Sequence, residues 1–253
     1  MIKLDILSKS EAARYMGVKG QPDKSVNDIL DKYEPIVREK LRPNYVYRES
    51  DIEFTENGVR LSIMENTLRG NDIKKHLKGC TKAVIFAATV SAEADKLIRQ
   101  TAVTNMAESL AVDCLCSTAI EQLCDKIEEE IFSKINAPYR TWRFSAGYGD
   151  LPISSQKDFI TSLNAQRRIG LTVTDNFLLI PSKSVTAIIG ISENPPSNEV
   201  KKGCAGCNLG KTAPIPITEA AIEFNSLQAE ILYVFRLKAG LILCKTLRLI
   251  LPK

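Results

Sequence analysis

An α+β fold, with a mixed or antiparallel twisted sheet and long helices, is predicted by three features of this sequence. The run Ala83 to Thr89 is continuously apolar and of strand length, the pattern of a strand buried on both faces. The stretch from Ala92 to Lys134 is rich in Ala, Leu, Glu and Lys and free of Gly and Pro, so it reads as long helix. Helical and extended segments follow one another without a strict strand–helix–strand rhythm, which favours α+β over a doubly wound parallel sheet.

Taken in order, Ser10 to Gly17 reads as a short helix with Ser10 as N-cap and Gly17 as its stop. From Ser25, the apolar residues Val26, Ile29, Leu30, Tyr33, Ile36, Val37 and Leu41 mark one helix face, with Pro35 expected to bend or divide it. Tyr45 to Arg48 and Val59 to Ile63 have strand character, with Asn57-Gly58 as a turn. Asn71 to Leu77 suits a short helix, and the 92–134 stretch divides into two helices with a break near Thr101. Arg143 to Pro152 is a loop of small residues and Ser155 to Leu163 a short helix. Thr172 to Thr174, Phe177 to Ile180 and Val185 to Ile191 are strands, joined by turns at Asp175-Asn176 and Pro181-Ser182-Lys183.

At 253 residues, with 44% hydrophobic and 25% charged residues, the chain can bury a sizeable core. Its net charge is +4, and six Lys/Arg against three Glu from Lys211 to Lys253 account for +3 of it. The remainder is nearly neutral and aromatics are 6%, which excludes a basic, stacking nucleic-acid surface. The sequence has no signal peptide and no apolar run of membrane-spanning length, so it reads as cytoplasmic and not membrane-bound. Seven cysteines in such a chain are mostly small buried hydrophobes rather than a disulfide framework.

Neither phosphate-cradling glycine motif is present. The single histidine, His76, reads as surface or helix-end packing, and Glu128-Glu129-Glu130 as a solvated helix face. Glu121 and Asp125 share a helical face, either exposed or, if it looks into a cleft, able to hold a cation or an amine. The most informative segment is Arg143 to Asp150. There Gly147 and Gly149 flank Tyr148 and allow close backbone approach, while the planar fork of Arg143 can grip a carboxylate.

Arg143-Phe-Ser-Ala-Gly147-Tyr148-Gly-Asp-Leu-Pro, followed by Gln156-Lys-Asp, Arg168-Ile-Gly-Leu-Thr-Val-Thr and Ile180-Pro-Ser-Lys-Ser-Val-Thr-Ala-Ile, holds three elements in order: Arg-x-x-x-Gly-Tyr, Ile-Gly-x-x-x-Thr and Pro-x-x-Ser-Val. Together they resemble the activation domain family of cobalamin-dependent methionine synthase, in its stand-alone form, over roughly residues 10–210. The resemblance implies an S-adenosylmethionine-binding domain over residues 1–210 that serves reductive methylation of cob(II)alamin. It further implies that Arg143 grips the methionine carboxylate, that the backbone of Ala146, Gly147 and Tyr148 lines the ligand, and that Glu121 is the acidic contributor from the preceding helix. The cobalamin is then carried in trans by a methionine synthase or other corrinoid protein, with a flavodoxin-like electron donor.

Cys204-Ala-Gly-Cys207 supplies two of the four ligands a structural metal site needs. Stand-alone members continue to a third cysteine, implying an iron–sulfur or metal site, where this chain has Thr212. Residues 211–253 depart from the family and can be read as a frameshift product. The alternative function is a non-catalytic metal-handling or ligand-binding accessory protein built on Cys204 and Cys207.

Overall fold

The computed structural model describes residues 2–135 and 137–194. Cys204, Cys207, Thr212 and the 211–253 tail therefore lie outside the described residues, as does the end of the 1–210 domain.

Helix α1 (Lys9–Tyr15) starts two residues earlier than the sequence predicts, because Ser8 rather than Ser10 is its N-cap, its hydroxyl accepting from the Glu11 amide. Helix α2 (Lys24–Lys40) opens on the Asp23 carboxylate and runs through Pro35 undivided. The division that Pro35 could have caused is overridden by tertiary packing. Leu30, Tyr33 and Val37 are buried, and Lys32 and Tyr33 both bond Glu108 of a second helix.

Strand β1 (Asn44–Thr55) is longer than expected and turns into β2 (Gly58–Leu61) through Glu56-Asn57. Gly58 thus belongs to the ladder, opposite Thr55, rather than to the turn. After β3 (Leu68–Arg69) and α3 (Asn71–His76), β4 (Lys82–Thr89) pairs antiparallel with β1 on one side. On its other side lies β8 (Ser184–Ser192), also antiparallel. Helix α4 (Ala92–Thr104) and helix α5 (Met106–Lys134) meet at Asn105, not Thr101. Thr101 is accommodated inside α4 because its hydroxyl donates back to the Leu97 carbonyl. Asn105 closes α4 with its amide and caps α5 with its side chain.

The chain continues through β5 (Tyr139–Arg140), a 3₁₀ turn (Ile153–Ser155), α6 (Gln156–Leu163) and α7 (Ala165–Ile169). The last elements before β8 are β6 (Thr172–Val173) and β7 (Leu179–Ile180). Helix α7 had no sequence signal, and Phe177, read as strand, has φ 62. The main sheet has order β3-β2-β1-β4-β8-β5, and β6-β7 form a separate ribbon.

Alternation along β4 explains its unbroken apolar run. Val84, Phe86 and Ala88 enter one core with α1, α2, α4 and α5, while Ala83, Ile85 and Ala87 enter a second with α3, α6 and α7. Each fully buried side chain of the size of Phe86 or Leu115 contributes about 1.5–3 kcal/mol. Cys80, Cys114, Cys116 and Cys124 are buried as expected, and burial pushes the Cys116 thiol up to about 12.

Candidate functional site

After β5 the chain runs beside β8. The Thr141 amide donates to the Gly190 carbonyl at 3.0 Å, and Phe144 exchanges both backbone hydrogen bonds with Ile188. In this extended stretch consecutive side chains leave on opposite faces of the sheet. Trp142 and Phe144 join the core under α3 and α6, and Arg143 points to α5 on the other side.

The Arg143 guanidinium is held by three carboxylates of α5: Glu128 at 2.6 Å, Asp125 at 2.8 Å and Glu121 at 3.3 Å. These residues, with Asp113 and Ser117, fall at steps of three or four along the helix and so form one polar stripe. The solvated-face reading of Glu128 is corrected here. Its side chain is only 18% exposed and lies against Arg143, because it occupies the same stripe as Glu121 and Asp125. Burial lifts the Glu128 carboxyl above its ordinary value, with the Arg143 charge opposing. The cation held by Glu121 and Asp125 is therefore the protein's own guanidinium. Tyr15 of α1 borders the same stripe; burial, followed by the Glu121 charge, pushes its phenol up to about 12.

At the other end of the stripe Lys183 is buried. Its ammonium donates to Asp113 and to the Ser117 hydroxyl, both at 2.9 Å. Its neighbour Ser182 bonds Asp95 of α4 through amide and hydroxyl. The Pro-x-x-Ser-Val element thus ties β8 to both long helices. Sequence reasoning missed Lys183 and Asp113, which lie far apart in the chain.

On the opposite face Trp142, Phe144, Tyr148 and His76 form an aromatic cluster. His76 lies 4.7 Å from Trp142 and 4.8 Å from Phe144, and Tyr148 5.6 Å from Phe144, between ring centroids. His76 ends α3 as expected but is 4% exposed, so its surface reading is corrected. Burial pushes its imidazole down to about 4, with a Trp142 backbone bond opposing, and its Nε2 has no hydrogen-bond partner. The i, i+2 spacing of Trp142 and Phe144 was the available sequence signal for this cluster.

Between the faces lies the turn itself. Gly147, at φ 90, donates to the Leu151 carbonyl, and the Tyr148 amide to that of Ser145. Ala146 is fully buried, while Gly147 and Tyr148 are half-buried. The structure thus brings Arg143 and Glu121 together on the helical side, and sets Tyr148 on the aromatic side. Among the described residues no group of three or more His, Cys, Asp or Glu is arranged to hold a metal ion. Nor is any helix among them long and apolar enough to cross a membrane.

Residues 82–202 match the family model described as vitamin B12 dependent methionine synthase, activation domain. Among solved structures, the chain is similar to the crystal structure of the MetH reactivation domain bound to AdoHcy. The TM-score is 0.56 at 15% identity, over 79% of each chain, which establishes a shared α+β fold. No curated protein matches the sequence.

Proposed function

We propose that the protein binds S-adenosylmethionine at the turn from Arg143 to Tyr148 and serves reductive methylation of cob(II)alamin. The cobalamin is held by a cobalamin-dependent methionine synthase or another corrinoid protein. The observation that carries the reading is that this turn, with its Gly147 backbone and half-buried Tyr148, lies inside the segment that matches the family model.

The chemistry of the surrounding residues fits such a ligand. Glu121, Asp125 and Glu128 place three negative charges on one guanidinium, a surplus that suits a sulfonium and an ammonium. Asp125, 64% exposed, is the carboxylate most easily released, so a ligand carboxylate would take its place on Arg143. When bound, the ligand supplies a methyl group already activated by its sulfonium, for a cobalt nucleophile reduced by a flavodoxin-like donor. The protein's task is then alignment, which explains the lack of a required general base.

Calorimetric titration tests this. Wild-type protein gives saturable binding of S-adenosylmethionine, and Arg143→Ala weakens it by about 1.5–3 kcal/mol, the scale of a charge-assisted hydrogen bond. Absence of saturable binding, or equal binding by the variant, overturns the reading.

A further inference from the structure

We propose that Asp150 and Asp72 form a reciprocal clasp that positions the Gly147–Tyr148 turn for its ligand; this rests on the S-adenosylmethionine reading. Helix α3 has no N-cap side chain of its own, since Gly70 occupies that position. The missing acceptor comes from the loop. One Asp150 oxygen accepts the Asn71 amide at 2.7 Å and the other the Asp72 amide at 2.9 Å. In return the Asp150 amide donates to the Asp72 carboxylate at 3.2 Å. Asp72 keeps its other oxygen towards Lys75, at 3.8 Å.

Both glycines beside the clasp are required by it. A Cβ on Gly70 would stand 2.5 Å from the Asp150 carboxylate, and one on Gly149 would stand 2.3 Å from that of Asp72. Both also have positive φ, 140° and 53°, so any side chain there is strained twice over. The clasp lies two residues beyond Tyr148. At its other end α3 presents His76 to Trp142 and Phe144, the rings against which Tyr148 rests. Helix α3 therefore holds the turn at two points, by its amides at one end and by an aromatic contact at the other. Asp150 and Asp72 act through the turn and are positioning residues.

Trp142 is the only tryptophan in the chain and sits 6.2 Å from Tyr148, so its fluorescence reports the arrangement. The experiment compares full-length wild type, Asp150→Ala, Asp150→Asn and Gly149→Ala with a remote core variant, Val37→Ala on α2. Each is measured for thermal midpoint, Trp142 emission and affinity for S-adenosylmethionine. Asp150→Ala and Gly149→Ala are expected to weaken binding by about tenfold or more and to shift the emission. Asp150→Asn, which keeps one acceptor, should fall between them and wild type. Val37→Ala loses thermal stability but keeps emission and affinity within about twofold, which separates positioning from general destabilisation. Should Asp150→Ala fail to fold, Gly149→Ala and Asp150→Asn carry the comparison. Folded variants with wild-type affinity and wild-type emission overturn the clasp. If wild type itself binds no S-adenosylmethionine, the ligand reading fails, and the emission alone decides whether the clasp orders the turn.

Discussion

The two faces of the sheet at the β8 edge handle polar groups in opposite ways. On the α5 face every buried charge is paired: Lys183 with Asp113, and Arg143 with three carboxylates. On the α3 face burial is aromatic, and His76 sits there uncharged with Nε2 unpartnered. A segment of three residues, Trp142 to Phe144, contributes to both, since an extended backbone sends alternate side chains to opposite sides. The contrast teaches that the charged side is held by partners that can be exchanged, while the aromatic side is held by shape and by the exclusion of charge.

The largest effect expected from breaking this contrast is at Lys183. Replacing it by Met leaves Asp113 without its ammonium and should lower unfolding free energy by about 3–5 kcal/mol, measured by urea titration. Adding Asp113→Leu should recover most of the loss, because removing both charges also removes the cost of burying one alone. If Lys183→Met alone is neutral, the α5 face does not depend on pairing.

Acid should act next, and on the other face. The folded His76 pKa of about 4 lies below the ordinary 6.5, so between these values the unfolded chain binds the extra proton. Stability from this group is therefore present above about pH 6.5 and is lost as pH falls towards 4. The loss approaches about 3 kcal/mol at the limit. His76→Phe should flatten that part of the pH profile; an unchanged slope would mean that the histidine is not held neutral.

The smallest change is expected at Asp125. With its side chain 64% exposed, Asp125→Asn should alter stability by less than about 1 kcal/mol. Glu128→Gln tests a carboxylate that is only 18% exposed against the same guanidinium, and should move stability more than Asp125→Asn does. Equal effects at the two positions would remove the distinction between an exchangeable and a fixed partner of Arg143.

Much of the fold was legible because it rests on local periods. The run 83–89 announced a strand buried on both faces, and the 92–134 composition announced two long helices. Their boundary was misplaced by four residues, since Thr101 satisfies its hydroxyl inside α4 while Asn105 serves two caps at once. Pro35 does not divide α2, an outcome that local rules miss because they do not include the packing of α2 on α5. In the candidate site, the turn from Arg143 to Tyr148 and the shared face of Glu121 and Asp125 could be read directly. The pairing of that face with Arg143 could not, because a helix stripe does not say what it meets.

The amino-acid order by itself determined the buried strand at 83–89, the long helices, the glycine turn and the burial of Cys80, Cys114, Cys116 and Cys124, since each depends on neighbours within a few positions. Only the tertiary structure decided that Arg143 meets Glu121, Asp125 and Glu128, that Lys183 meets Asp113, and that Asp150 caps a helix 78 residues before it. Those contacts join segments that the chain leaves far apart. Packing both faces of one sheet fixes their distances, and no local pattern encodes such a distance.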